Sequence, residues 1–287
     1  METIFKAEIL TAVATKEVLN VAIHNGVFHS DDVFCVALLC RLTKECGTTL
    51  NVVRTRDAQE LQKADMRIDV GGKYSETTWD FDHHQNDPEL VQPEGIKHAA
   101  IGLLAKWCLK PEFLALFREK YLLGLEHQDN TGKPHPQYSS IGFMVQPFVP
   151  AYGEKADFDA HFEAAVAVAE IVLDRCIKTV EGQLQSEADF PSTVEESLND
   201  GKVVVLKHWL PITHSLHPEL AFTIVPVPAG YSIVGINGHL LKQDIWGLNG
   251  EQIQQACGYD GVFVHKAGFT ATMKTLEGAK TLCLQSL

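Results

Sequence analysis

Apolar positions along the first part of the chain fall into short runs separated by stretches of helical spacing. Leu19 to His24 is a compact apolar run, and Leu50 to Val53 and Met66 to Val70 are two more. Runs of this length bounded by turn residues predict strands. Val33 to Cys46 instead places Phe34, Ala37, Leu38 and Leu42 on one helical face. Ser30 or Asp31 is its expected N-cap, with acid favoured in the first turn. A short helix is predicted near Ala58 to Lys63. Thr78-Trp79-Asp80-Phe81 reads as a further strand, in which period-two alternation sends Trp79 and Phe81 to one face and Asp80 and Asp82 to the other. Strands alternating with helices predict a mostly parallel sheet with right-handed crossovers.

Ala99 to Leu109 and Pro111 to Leu125 then read as helices, with Pro111 at a first-turn position. Residues 131–156 hold Pro134, Pro136, Pro147 and Pro150 and are expected to form an irregular loop or lid. Asp157 to Leu184 is a long amphipathic helix with Phe158, Phe162, Val166 and Ala169 on one face. The polar, acidic stretch Ser186 to Gly201 contains Pro191 and marks a domain boundary, giving predicted domains 1–190 and 200–287. The second is a smaller α/β module. Its strands are expected at Val203 to Leu206, Phe222 to Pro226, Tyr231 to Gly235 and Val262 to His265, and its helices near Glu251 to Ala256 and from Leu276.

Composition narrows the classes. The chain has 287 residues, 45% of them hydrophobic and 21% charged, enough apolar material for two proper cores. A formal net charge of -13 argues against a long duplex-DNA binder, which draws its affinity from neutralising phosphates with Lys and Arg. It leaves room for a small phosphate-bearing substrate in a site whose positive charge is metal. The seven cysteines form no Cys-x-x-Cys pair, which suggests free thiols in a reducing compartment. The start of the chain does not read as a signal peptide and no apolar run approaches a membrane span, so a cytoplasmic location is expected.

The chemistry concentrates where predicted strands end. His24 closes the first strand, and His29, Asp31 and Asp32 crowd the loop after it. Asp69 ends another strand, and Asp82-His83-His84 ends the next. In open α/β sheets ligands bind at the carboxyl ends of strands. Glu126-His127-Gln128-Asp129-Asn130 follows the second of the later helices, a polar cluster whose plain alternative is a solvent-exposed helix end with Gly132 and Pro134 as stop signals. Imidazoles and carboxylates together suit divalent Mn, Co, Fe or Zn better than Ca²⁺ or Mg²⁺. Two such ions about 4 Å apart can clamp a phosphoryl oxygen.

Taken together, His24-Asn25-Gly26-x-Phe28-His29-x-Asp31, Arg54-Thr55-Arg56-Asp57, Asp69-Val70-Gly71-Gly72-x-Tyr74, Phe81-Asp82-His83-His84-Gln85, Asp129-Asn130 and Val262-Phe263-Val264-His265 resemble the DHH phosphoesterase superfamily, and within it the MYG1 family. The resemblance runs over almost the whole chain. It implies a DHH-like catalytic domain followed by a C-terminal substrate-binding domain, and a site for two divalent ions, usually Mn²⁺. On that resemblance His24, His29 and Asp69 would hold one ion. Asp31, Asp69, His83 and Asp129 would hold the other, with Asp69 bridging and Asp32 the alternative to Asp31. His29 stands where the familiar first motif has an aspartate. Asp82 and His84 would orient ligands or face the substrate, so that Asp69, Asp82, His83 and His84 form the catalytic set. Arg54, Arg56, His84, His265 and Lys274 would bind substrate. The implied activity is metal-dependent phosphodiester hydrolysis, a 3′–5′ exonuclease on RNA or short oligonucleotides. A pyrophosphatase-like or nucleotide phosphohydrolase, and a metal-bound RNA-binding or regulatory protein without turnover, are the alternatives. A homodimer is left open. The family's glycine-pair-Asn loop is replaced here by Ala271-Thr272-Met273 between Phe269 and Lys274-Thr275, which puts substrate choice in question.

Overall fold

The structure, a computed structural model, describes residues 3–155, 157–212 and 214–287. It divides into two units, 1–181 and 182–287. The fold is mixed α/β.

The first unit begins with helix α1 (Ala7–Ala14), which the apolar pattern had not singled out, and strand β1 (Val18–Ile23). Helix α2 (Ser30–Cys46) follows, then β2 (Thr49–Arg54), α3 (Ala58–Lys63) and β3 (Met66–Ile68). The predicted Asp-His-His strand is shorter than expected. It is β5 (Asp80–Phe81), and an unforeseen two-residue strand, β4 (Tyr74–Ser75), pairs with it antiparallel. Trp79 lies outside the strand with a φ of +54°, yet both Trp79 and Phe81 still pack on Trp107, with ring centroids 5.4 and 5.3 Å away. The sheet order is β2-β1-β3-β5-β4, parallel except at β4. Leu19, Val21, Ile23, Met66, Ile68 and Phe81 are buried in it, as are Phe34, Leu38 and Leu42 of α2. The crossover helices cover the sheet, which is why its central strands are continuous apolar runs.

Helices α4 (Ala100–Cys108) and α5 (Pro111–Phe117) come next. The single helix predicted to end at Leu125 is instead α5, a π-helical turn at Arg118–Leu122, and α6 (Leu123–Thr131). Helicity therefore runs through Glu126 and Asp129 before Gly132 ends it in the left-handed conformation. Residues 132–157 contain two short 3₁₀ turns, at Ile141–Met144 and Gln146–Phe148. Gly142 and Gly124 let this segment lie close to its neighbours. A Cβ at Gly142 would stand 2.6 Å from the Ser30 hydroxyl, and one at Gly124 would stand 2.2 Å from the Ser139 carbonyl.

Helix α7 (Phe158–Thr193) is longer than predicted and carries Pro191 in its final turn. The polar stretch expected to mark the domain boundary is thus the end of α7 followed by a hairpin, β6 (Val194–Leu198) and β7 (Val203–Leu206). The remaining elements are β8 (Phe222–Val227), β9 (Gly230–Gly235), α8 (Glu251–Cys257), β10 (Gly261–Val264), β11 (Thr270–Met273) and α9 (Leu276–Leu284). The sheet order is β10-β11-β9-β8-β7-β6, and only β7 and β8 run parallel. Ala271-Thr272-Met273 is not a loop. It is the interior of β11, bonded to β9 on one side and β10 on the other, with Ala271 and Met273 fully buried in the core.

Candidate metal centre

Five elements of the first unit converge on one cluster. His24 follows β1, Asp69 follows β3, His83 and His84 follow β5, Asp31 and Asp32 occupy the first turn of α2, and Asp129 lies in the last turn of α6. His24, Asp31, Asp32, Asp69 and His83 are all buried. Asp69 is at the centre. Its Oδ2 lies 3.2 Å from His24 Nε2, and its Oδ1 lies 3.2 Å from His83 Nε2 and 3.4 Å from His84 Nδ1. His83 Nε2 is also 3.4 Å from Asp129 Oδ2 and 3.9 Å from Asp31 Oδ2. His29 is more exposed, with Nδ1 3.9 Å from Asp129 Oδ1. Asp69 adopts a φ of +51°, a conformation Asp tolerates better than most residues and one that marks functional sites when the surroundings impose it.

The local sequence explains the convergence. The carboxyl ends of parallel strands share one edge of the sheet. At α2 the N-cap is His29, not Ser30 or Asp31. The Asp32 carboxylate accepts the His29 N–H at 3.1 Å and faces His24 Nε2 at 2.8 Å, so Asp32 is engaged with the helix start and His24. Asp31 has one oxygen on the Ala100 N–H at the start of α4, 3.2 Å away, while its Oδ1 is buried without a hydrogen-bond partner. His83 Nδ1 is also buried and unpartnered. Buried polar atoms are nearly always satisfied, and orphans of this kind leave room for a polar ligand such as an ion or a water.

Electrostatics point the same way. Burial pushes the Asp31 carboxyl well above the ordinary range, and the charges of Asp129, Asp69 and Asp32 push it further. Burial also raises Asp129. Burial opposes the charge on His24, but hydrogen bonds and charge from Asp32 and Asp69 outweigh it and push the ring up to about 10. His83 is likewise raised, against its burial, by Asp69 and Asp129. Burial would raise Asp69, yet hydrogen bonds from His24 and His83 hold it well below the usual carboxylate range. The negative charge of the cluster favours the protonated forms of His24, His83 and the Asp31 carboxyl. The donor set fits divalent metal: the groups His24–His29–Asp69, Asp69–His83–His84, His29–Asp31–Asp129 and Asp31–Asp32–Asp69 each bring ligand atoms within 4.8 Å of one another.

The other expected residues sort themselves by geometry. Asp82 holds the strand connection. Its Oδ2 accepts the Gly72 N–H at 2.6 Å, and its Oδ1 accepts the His84 N–H at 3.0 Å and faces the His84 ring at 2.8 Å. It fixes His84 rather than joining the cluster. Arg56 lines a cavity of about 420 Å³ together with Asp69, Asp82 and His84. Arg54 does not share that cavity. Its guanidinium is tied to Asp159 and the Gly26 carbonyl, both at 2.6 Å, and lies over the Phe162 ring, contacts that hold the loop after β1. His265 and Lys274 lie in the second unit. His265 accepts the Ala267 N–H at 3.1 Å in the turn between β10 and β11 and packs its ring, tilted, on Phe269, while Lys274 is exposed just beyond β11.

One residue was missed. Glu126 is not at an exposed helix end but is fully buried. It accepts hydrogen bonds from His98 Nδ1 at 2.7 Å, Gln92 Nε2 at 2.8 Å and the Ala99 N–H at 3.4 Å. Gly102 makes room for it, since a Cβ there would fall 1.7 Å from its Oε1. Adjacent N–H groups of Ala99 and Ala100 thus bind Glu126 and Asp31, tying α6, which carries Asp129, to α2 through the start of α4. The only signal in the sequence was a carboxylate one turn before Asp129, indistinguishable from a solvated one.

The fold and this cluster define an α/β protein whose parallel sheet gathers histidines and aspartates at one edge into a candidate cation-binding centre. The sequence matches the model of the family MYG1_exonuc, described as an uncharacterised protein family (UPF0160), over residues 20–107 and 122–287, and the chain belongs to that family. It is 39% identical to a MYG1 protein of Chlamydia muridarum, covering 91% of this chain and 94% of that one. It is 25% identical to a MYG1 protein of Schizosaccharomyces pombe, covering 94% and 97%. It is 26% identical to the MYG1 exonuclease of Homo sapiens, covering 92% and 84%. A solved RecJ of Thermus thermophilus in complex with Mg²⁺ aligns over 98% of this chain and 50% of its own at 13% identity, but its TM-score of 0.24 is too low to establish a shared fold.

Proposed function

We propose that this chain is a metal-dependent phosphodiesterase, acting as a 3′–5′ exonuclease on RNA or short oligonucleotides. The observation that carries the reading is Asp69, whose two oxygens face different imidazoles, Oδ2 towards His24 and Oδ1 towards His83, as a carboxylate shared by two ions would. His24, His29 and Asp69 hold one ion in this reading, and Asp31, Asp69, His83 and Asp129 the other, with Mn²⁺ suited to the mixed nitrogen and oxygen donors. When bound, such a pair supplies Lewis-acid activation of a phosphoryl oxygen and of water. The protein's own contribution is orientation. Asp32 fixes His24 and the start of α2, Asp82 fixes His84, and Glu126 fixes the helix bearing Asp129. His84, with its side chain 62% exposed, faces the substrate side beside Asp69, where a ring nitrogen can hydrogen-bond a non-bridging phosphate oxygen. Arg56 supplies positive charge in the adjoining cavity. Relatives named MYG1 exonuclease support the nuclease reading. The second unit serves as a substrate clamp through Lys274 and His265.

The test is direct. Purified protein should bind about two Mn²⁺ per chain and release mononucleotides from the 3′ end of a labelled oligoribonucleotide. One ion per chain would rule out the shared-carboxylate site. Phosphate released from small anhydrides, with oligonucleotides left intact, would instead favour a phosphohydrolase.

A further inference from the structure

We propose that the cavity formed by Val27, Phe28, Val145 and Val149, beside His29 and Asp129, receives the base of the nucleotide whose phosphate lies at the metal centre. This rests on the cluster being a phosphoester site. The cavity measures about 430 Å³, within the range of small-ligand pockets. Its position ties it to the chemistry, because His29 and Asp129 belong both to its wall and to the candidate ligand set. A phosphoester held there has its nearest substituent at the mouth of this cavity.

Two cavities meet the cluster, and of the two the Arg56 one carries a cationic side chain. The Arg56 side is lined by Leu61, Val70, Asp69, Asp82 and His84, and its guanidinium offers an anion a partner. The Val27 side is walled by valines and Phe28, with Gln146 at its rim. A nucleotide has the same two characters, a flat, weakly polar base and an anionic backbone, so the asymmetry orients it: base towards Val145, next phosphate towards Arg56. The formal charge of -13 strengthens the argument. A chain so acidic gains little from non-specific attraction to phosphates, and burial of bases is the other general source of single-strand affinity. The wall is also preformed. Ser140 caps the turn that carries Val145 by accepting the Gly142 N–H at 3.1 Å and donates to Gln128, and Gly142 brings that turn against Ser30. The exposed Gln146 carboxamide makes no hydrogen bond among the described residues and offers a donor and an acceptor to a base edge.

The experiment compares adenosine monophosphate with ribose 5-phosphate in calorimetric titrations of the full chain with Mn²⁺ present. Base burial should make the nucleotide bind about tenfold or more tightly than the sugar phosphate. Val27→Gln places a neutral polar side chain in the cavity from an exposed position and should bring the two affinities together. Val149→Gln, on another part of the wall, should do the same and guards against a disturbance of His29 by the first change. Equal affinities in the unaltered protein, or a preference that survives both variants, would overturn the pocket. If the preference and its loss are observed but oligonucleotides are not hydrolysed, the exonuclease reading fails and the base pocket stands.

Discussion

The two sheets of this protein use similar residues to opposite ends. In the first, β1, β3 and β5 run parallel, so residues 24, 69 and 82–84 leave the sheet at one edge. In the second, neighbouring strands run antiparallel except at β7 and β8, so successive strand ends point in opposite directions. A parallel sheet concentrates its strand ends, and with them whatever chemistry they carry, while an antiparallel one disperses them. The first unit accordingly buries charge at its sheet edge, and the second buries Ala271 and Met273 in its sheet interior and keeps His265 and Lys274 near the ends of a hairpin. The metal chemistry is therefore expected in the first unit and a further substrate contact, at Lys274, in the second, and mutations can break that division.

The largest effect is expected at Asp69. Asp69→Asn should abolish hydrolysis and lower the Mn²⁺ content of about two per chain, since an amide cannot serve two cations as a carboxylate does. Metal analysis alongside an oligonucleotide assay decides it, and full activity would end the shared-ligand reading. Next, Lys274→Ala should leave Mn²⁺ content intact and reduce kcat/KM on oligonucleotides by roughly ten- to 150-fold, the effect of losing one charge-assisted phosphate contact. The loss should be smaller on a small chromogenic phosphodiester. Equal loss on both would place Lys274 in the chemistry or the fold and dissolve the division of labour.

Glu126→Ala should weaken Mn²⁺ binding by roughly 10- to 100-fold, as for partners that orient metal ligands, although Glu126 itself is not among the expected ligands. Glu126→Gln, which keeps the bonding shape, should recover part of the loss. Circular dichroism of both variants separates loss of orientation from loss of fold, and an alanine variant with unaltered Mn²⁺ affinity would remove Glu126 from the site's support.

The proton balance gives a finer test. An unperturbed imidazole titrates near 6.5, but here Asp32 and Asp69 push His24 up to about 10 in the absence of metal. At neutral pH the ring is then charged, and a cation must displace its proton to bind. Apparent Mn²⁺ affinity should rise with pH from about 6 to 8 by up to about tenfold per unit for each proton displaced. Calorimetry in two buffers of different ionisation enthalpy should show proton release. Identical heats in both would mean that His24 is not displaced. The smallest effect is expected in the second sheet. Ala271→Gly, moving the sequence towards the family's glycine loop, should cost about 0.5–1 kcal/mol of stability and bring no gain in substrate affinity, because the position is a paired strand interior. A measured gain would return that segment to the substrate.

Much of this was written locally. The apolar run before His24 and the one before Asp69 fix β1 and β3, and the helical spacing of Phe34, Leu38 and Leu42 fixes α2. Strand ends follow from those runs, so His24, Asp69 and His83 could be named as neighbours from sequence, because a parallel α/β pattern permits one gathering place for them. What no local pattern could decide depended on partners distant in the chain. Arg54 reads as a free cation until Asp159, 105 residues on, claims it. Ala271-Thr272-Met273 reads as a modified loop until β9 and β10 supply hydrogen bonds on both sides. Glu126 reads as a solvated acid until Gln92, His98 and the start of α4 close around it. Periodicity reports the face a residue turns to its own element. Whether a polar side chain there meets water, a cation or a backbone N–H is set by packing between elements, and only the tertiary structure brings those together.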